Sequence, residues 1–461
     1  MSREPDFLEN LRAELSGGRR WLDRAIVLAY AVVAGLLVVG LTMAGDRAFA
    51  LFERLYDAQP WALLVWTPAL TVVIVWATRR WFPGAAGSGI PQVKAALEPA
   101  LPPERIGRLV SLRLALAKMV LTVGGLAAGL SIGREGPSVQ VAAAVMQHAR
   151  RWLSPGTVID ARALLVAGGA AGIAAAFNAP LAGVLFAIEE LYGRFEARAS
   201  GLIITAIVLA GLVAVAVFGN HSYFGVIRVP YLDWSALVPG VAVTLAAGVA
   251  GGLFSRLMAA SLTGAPSRLN RLRARWPLWF AAAGGLLVAV IGLATGGVTF
   301  GAGSETVKAM LAGHETLSPL ETLLKFVATW LTAWCGVPGG IFAPALTIGA
   351  GIGNSVSQLI DGGLGPVLIA VGMAAFLAAV TQTPLTAFII VMEMVDGQSM
   401  VLSLMASAMM ASLVSRMLSR PLYESLAAHM LGVAIGSPMP AAAAASGVDP
   451  LPESAQTPGK P

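Results

Sequence analysis

The sequence predicts an all-α polytopic membrane protein with broken, tilted helices, and three observations carry that prediction. The 461-residue chain is 57% hydrophobic and only 12% charged, whereas soluble domains average about 25% charged residues. Long stretches contain no Asp, Glu, Lys or Arg: residues 25–44, 61–78, 163–188, 201–220, 234–255, 276–304, 326–360 and 362–392. An apolar helix of about 20 residues spans a bilayer. These runs are continuous, unlike the short alternating segments of a transmembrane barrel. Third, many of the 52 glycines and 27 prolines lie inside the apolar runs. There they free backbone groups that must find partners in protein or in a watery cavity.

Residues 1–24 read as a short amphipathic helix on the cytoplasmic face, with Phe7, Leu8, Leu11 and Leu15 at helical spacing. Arg19, Arg20 and Arg24 precede the first run. Basic residues hold loops on the cytoplasmic side, so the N-terminus is expected there. Arg79 and Arg80 follow the second run, and Arg268, Arg271, Arg273 and Arg275 form another basic loop. The net charge of +6 is accounted for by this topology, and no nucleic-acid partner is expected. The charged stretch before Ala25 does not look like a cleaved signal. A first membrane half is expected over 25–232 and a second over 233–428. The tail over 429–461, rich in Ala, Pro, Ser and Gly, is expected to be disordered in the cytoplasm. Cys335 is the only cysteine, which excludes an intrachain disulfide. His148, His221, His314 and His429 lie far apart without ligand spacing, so neither metal nor cofactor is expected.

Run 326–360 is too long for one span and carries CGVPGGIFAP at its centre. An internal repeat explains the break. AAAFNAPLAGVLFAIEEL (174–191) lies on AAVTQTPLTAFIIVMEMV (378–395). Ala174, Ala175, Pro180, Leu181 and Glu189 then match Ala378, Ala379, Pro384, Leu385 and Glu393. Upstream, GREGP (133–137) faces GIFAP (340–344). Two related halves interrupted at corresponding places point to a transporter-like site at the repeat interface.

Three segments share one form: GSGIP (87–91), GREGP (133–137) and GGIFAP (339–344). Proline suits the first turn of a helix, and glycine lets backbone approach a ligand. A helix start has unpaired N–H groups and about half a positive charge. Three such starts aimed at one point would bind an anion without a full cation. A full cation would oppose release.

In this order the motifs, together with AAAFNAPLAGVLFAIEE (174–190) and RPLYESL (420–426), resemble the CLC chloride channels and proton-coupled chloride antiporters. The resemblance covers residues 24–426. It implies a CLC-type fold of about eighteen helices in two inverted-topology halves. It also implies a homodimer with one pore per subunit. Carried over residue by residue, Ser88 and Tyr423 would donate hydroxyls to a central chloride, with the amides of Ile341 and Phe342. The amides of Glu135, Gly136, Phe342 and Ala343 would line an outer position. Glu135 would be the gating glutamate, whose ionised carboxylate contends with chloride for that position. Phe342 stands in its place in the second half. Arg134 reads as structural.

The repeat separates two carboxylates. Glu189 aligns with Glu393 and reads as structural, whereas Glu190 aligns with Met394. Glu190 matches the internal proton glutamate of the antiporters, against a bland reading as a helix-end charge paired with Arg194 or Arg198. Gln92 and Lys94 depart from antiporters that carry carboxylates after GSGIP, and Lys94 is expected to affect proton entry or to pair with Glu98. Lys118 is expected to pair internally or to supply positive potential.

The expected function is a secondary active antiporter exchanging chloride for protons, embedded in lipid. Chloride is the bound substrate, and the protein is not an enzyme. A passive chloride channel using the same pore is the alternative. The compact chain suggests a bacterial inner membrane with both termini cytoplasmic. A membrane hydrolase would need a nucleophile with a histidine or carboxylate partner, and no histidine here stands in such a motif.

Overall fold

Backbone breaks at glycine and proline organise the membrane interior. The computed structural model describes residues 18–157, 159–192, 200–219, 223–225, 236–360 and 363–435. Among these lie 18 α-helices and no strand. The first half comprises α1 (Gly18–Ala58), α2 (Leu63–Trp81), α3 (Ile90–Leu97), α4 (Leu112–Ala127), α5 (Glu135–Ala149), α6 (Ala161–Ala176), α7 (Pro180–Phe186) and α8 (Ser200–Phe218). The second comprises α9 (Leu237–Leu262), α10 (Arg268–Arg275), α11 (Pro277–Ala294), α12 (Ser304–Leu311), α13 (Pro319–Cys335), α14 (Phe342–Ser357), α15 (Gly365–Thr381), α16 (Pro384–Met394), α17 (Val401–Leu418) and α18 (Leu422–Ile435). Among the described residues, 7 helical stretches are long and apolar enough to cross a membrane. The chain is a multi-pass integral membrane protein.

Run 326–360 divides as expected. Helix α13 ends at Gly336, which takes a left-handed φ of 87°, and α14 begins at Phe342. Helices α5 and α14 are buried on nearly every face, as apolar helices inside a large core must be. The helices that follow each of them press backbone to backbone. A Cβ on Gly172 of α6 would meet the Ser138 carbonyl oxygen of α5 at 2.5 Å. A Cβ on Gly349 of α14 would meet the Met373 Cα of α15 at 2.9 Å.

The repeat is visible in space. The segments before α5 and α14 meet in an antiparallel bridge, with Gly133 N–H donating to the Gly340 carbonyl and Gly340 N–H to the Gly133 carbonyl, both at 2.8 Å. Equivalent segments meeting antiparallel are what a two-fold axis lying in the membrane produces.

Three expected boundaries need comment. Residues 1–17 lie outside the described residues, and no break falls at residue 24. Arg19, Arg20 and Arg24 form the first turns of α1 itself, because nothing between them and Ala25 interrupts a helix. The junction between halves at 232–233 also lies outside the described residues. The tail does not begin at 429, since α18 runs to Ile435. Its last turn is held because Arg105 Nη1 donates to the carbonyls of Ala434 and Ile435 at 2.9 and 2.7 Å. A cation closing the last carbonyls stabilises a helix end. Residues 436–461 lie outside the described residues.

Candidate functional site

The three glycine-rich segments converge as helix starts. GSGIP opens α3, GREGP opens α5 and GGIFAP opens α14. Proline at the third position of α5 and of α14 has no N–H. The unpaired starting amides are therefore those of Arg134, Glu135 and Gly136, and of Ile341, Phe342 and Ala343. Close approach is enforced by glycine. Gly89 caps α3 at φ 117°, and a Cβ there would strike the Gly136 carbonyl. A Cβ on Gly136 would strike the Ser88 hydroxyl and would lie 3.3 Å from the Gly340 Cα.

The loop before Ser88 is braced from behind. Lys118 Nζ donates to the carbonyls of Ala85 and Gly87 at 2.8 and 2.6 Å. Gln92 Nε2 donates to the Ala86 carbonyl at 2.6 Å, and Gln140 Nε2 to Gly84 at 2.9 Å. Gly339 N–H also donates to the Gly87 carbonyl at 3.0 Å. These bonds occupy the loop carbonyls and so favour N–H and O–H groups at the point of convergence. Lys118 thus bonds internally to backbone carbonyls, with no carboxylate partner among the described residues. The second half repeats the device with Lys325, whose Nζ donates to Thr299, Phe300 and Gly301 carbonyls at 3.1, 3.2 and 2.8 Å. Sequence reasoning passed over Lys325 and Gln140. The signal for Lys325 was present, because it precedes Phe342 by as many residues as Lys118 precedes Glu135.

Tyr423 enters from the first turn of α18 and is 1% exposed. Its hydroxyl faces that of Ser88, and neither completes a hydrogen bond to protein although both oxygens are buried. The Phe342 ring lies 6.0 Å from the Tyr423 ring, centroid to centroid. A cavity of about 380 Å³ reaches Ser88, Ile341 and Tyr423 from the side of Arg108, Arg273 and His429. A second cavity of about 390 Å³, lined by Asp46, Arg134, Tyr223 and Lys308, ends at Glu135. Glu135 is 2% exposed; its carboxyl group lies near the amides of its own residue, of Ala343 and of Arg134, and its Oε2 is buried without a hydrogen-bond partner. Arg134 turns its side chain away from this point. It pairs with Asp46 and donates to the Tyr223 hydroxyl and the Thr42 carbonyl.

Glu190 stands apart from both cavities, in a π-helical turn over Ala187–Tyr192, and is 6% exposed. Such turns recur at functional sites. Its partner is Lys94, with Nζ 2.6 Å from Oε1. The expected Lys94–Glu98 pair is not formed, because α3 ends before Glu98 and directs Lys94 against the Glu190 turn. Arg194 and Arg198 lie outside the described residues. Glu189 and Glu393 bind backbone amides, as their alignment implied.

Comparison with known proteins agrees with this architecture. The family model for voltage gated chloride channels matches residues 70–416. The H(+)/Cl(−) exchange transporter ClcA of Cronobacter sakazakii is 33% identical over 402 residues, covering 81% of each chain. That of Citrobacter koseri is 30% identical over 448 residues, covering 90% of this chain and 91% of the relative. Among solved structures, a slow cyanobacterial Cl−/H+ antiporter aligns with a TM-score of 0.77 at 24% identity, over 89% of this chain and 98% of that one. A CLC-type fluoride/proton antiporter aligns at 0.73 and 22%, over 92% and 99%. At those identities the structures speak for the fold, and the sequence matches speak for the family. The chain belongs to the CLC family.

Proposed function

We propose that this protein is a secondary active antiporter that exchanges chloride for protons. The observation that carries the reading is the position of Glu135. One buried carboxylate at the start of α5 lines the cavity on the Tyr223 side, and the neighbouring helix starts line the cavity that reaches Ser88 and Tyr423. In this reading chloride is held by the Ser88 and Tyr423 hydroxyls and the Ile341 and Phe342 amides. The outer position is formed by the amides of Glu135, Gly136, Phe342 and Ala343. All these donors are neutral, so binding is reversible. Ionised Glu135 occupies the outer position as an anion. Protonated Glu135 no longer competes and swings into the outer cavity, carrying its proton. Glu190 serves the cytoplasmic end of the proton path, because burial of a carboxyl at that depth is costly without a function.

The names of the relatives support exchange over passive conduction, as does the presence of both glutamates. The family resemblance extends the proposal to a homodimer with one pore per subunit, in a bacterial inner membrane with both termini cytoplasmic. The test is the purified protein in liposomes, with chloride and pH recorded together. A chloride gradient should drive protons uphill. Chloride movement without proton movement would favour the channel, and movement of neither would sink both readings.

A further inference from the structure

One short helix joins the two ends of this cycle. The loop that opens α3 carries Ser88, and Lys94 lies further along the same helix. The Lys94 side chain is 17% exposed, and that of Glu190 only 3%. Past Leu97 the chain reaches the surface, and residues 98–100 are exposed. Lys94 is therefore the more accessible member of the pair. Neither residue lines the inner cavity, which takes Pro91 and Gln92 from α3 instead. The cavity that reaches Ser88 and the Lys94–Glu190 pair therefore share no residue.

We propose that Lys94 is the proton relay through which Glu190 exchanges protons with the cytoplasm, a reading that rests on the antiport function above. In the uptake step an N–H bond of the Lys94 ammonium breaks and an O–H bond forms on Glu190. This leaves a neutral amine beside a neutral acid. The amine then takes a proton from cytoplasmic hydronium or buffer acid, which restores the ammonium. Burial brings the neutral pair within reach, because removing two charges from water offsets much of their attraction. Lysine can surrender a proton, whereas arginine cannot.

Three other ionisable groups face this pair, and each has another place. Glu189 is held by the amides of Leu385 and Thr386 at 3.1 and 2.7 Å. Tyr423 turns its hydroxyl to Ser88. Glu424 is exposed, and among the described residues it makes no hydrogen bond to Glu190.

The test compares wild type with Lys94→Arg, Lys94→Met and Lys94→Glu in liposomes, recording proton and chloride flux together. Arginine keeps the charge and the pairing but holds its proton. Lys94→Arg and Lys94→Met should therefore both lose proton flux by about 100-fold, the lower range for a positioned acid–base group. Chloride flux should persist in both, which also reports that they fold. Lys94→Glu, which restores a group able to carry a proton, should recover proton flux. Wild-type proton flux in Lys94→Arg would overturn the relay. So would loss of proton flux in Glu424→Gln with the Lys94 variants unaffected. A wild type that moves chloride without protons would overturn the antiport reading and the relay together.

Discussion

Glu189 and Glu393 each cap the start of the helical segment that carries the other. Glu189 accepts from the Leu385 and Thr386 N–H groups at the start of α16, which bears Glu393. Glu393 accepts from Leu181 and Ala182 N–H groups at the start of α7, whose continuation bears Glu189. Exchanging the two halves exchanges the two contacts. Hydrogen bonds to a charged group contribute about 1.5–3 kcal/mol, and an amide in place of the carboxylate keeps only part of that. Glu189→Gln and Glu393→Gln should each lower the thermal unfolding midpoint in detergent while leaving chloride affinity intact. Unchanged midpoints in both would remove the structural role.

Ser88→Ala and Tyr423→Phe should behave in the opposite way. Their hydroxyls bond to nothing in the protein, so their loss should leave stability without chloride unchanged. A neutral hydrogen bond contributes about 1 kcal/mol, so chloride affinity should fall about fivefold in each variant. Titration calorimetry reads both. Wild-type affinity in the double variant would move the anion site elsewhere.

Glu135→Gln should abolish proton coupling while chloride still moves, because the amide neither ionises nor carries a proton. Simultaneous chloride and pH recording from liposomes checks this. Full coupled exchange in this variant would show that another group is the carrier.

Glu190→Gln should stop proton movement and spare chloride binding, since Glu190 lines neither cavity. Unchanged proton flux would return Glu190 to the role of a paired helix-end charge.

Gly136→Ala should empty the anion site. Its Cβ would collide with the Ser88 hydroxyl and lie 2.9 Å from the Ser88 carbonyl oxygen. Loss of chloride-dependent thermal stabilisation is the expected readout. A variant that binds chloride normally would mean the three helix starts do not close on one point.

Much of this protein was legible because the relevant chemistry is local. Glycine and proline act on their immediate neighbours, so GSGIP, GREGP and GGIFAP marked the starts of α3, α5 and α14 before any contact was known. The repeat likewise separated Glu189 from Glu190, because matched positions in two halves inherit matched contacts. Only the tertiary structure decided the rest. Lys94 had Glu98 close by in the chain, yet its partner is Glu190, 96 residues away. That choice is made where α3 packs against the π-helical turn. The bracing of the loop before Ser88 by Lys118 and Gln140, 33 and 56 residues from carbonyls they bind, is likewise non-local. Which side of a helix faces a cavity, and which buried carbonyls need a donor, depends on how helices cross. A sequence states that crossing only through the whole fold.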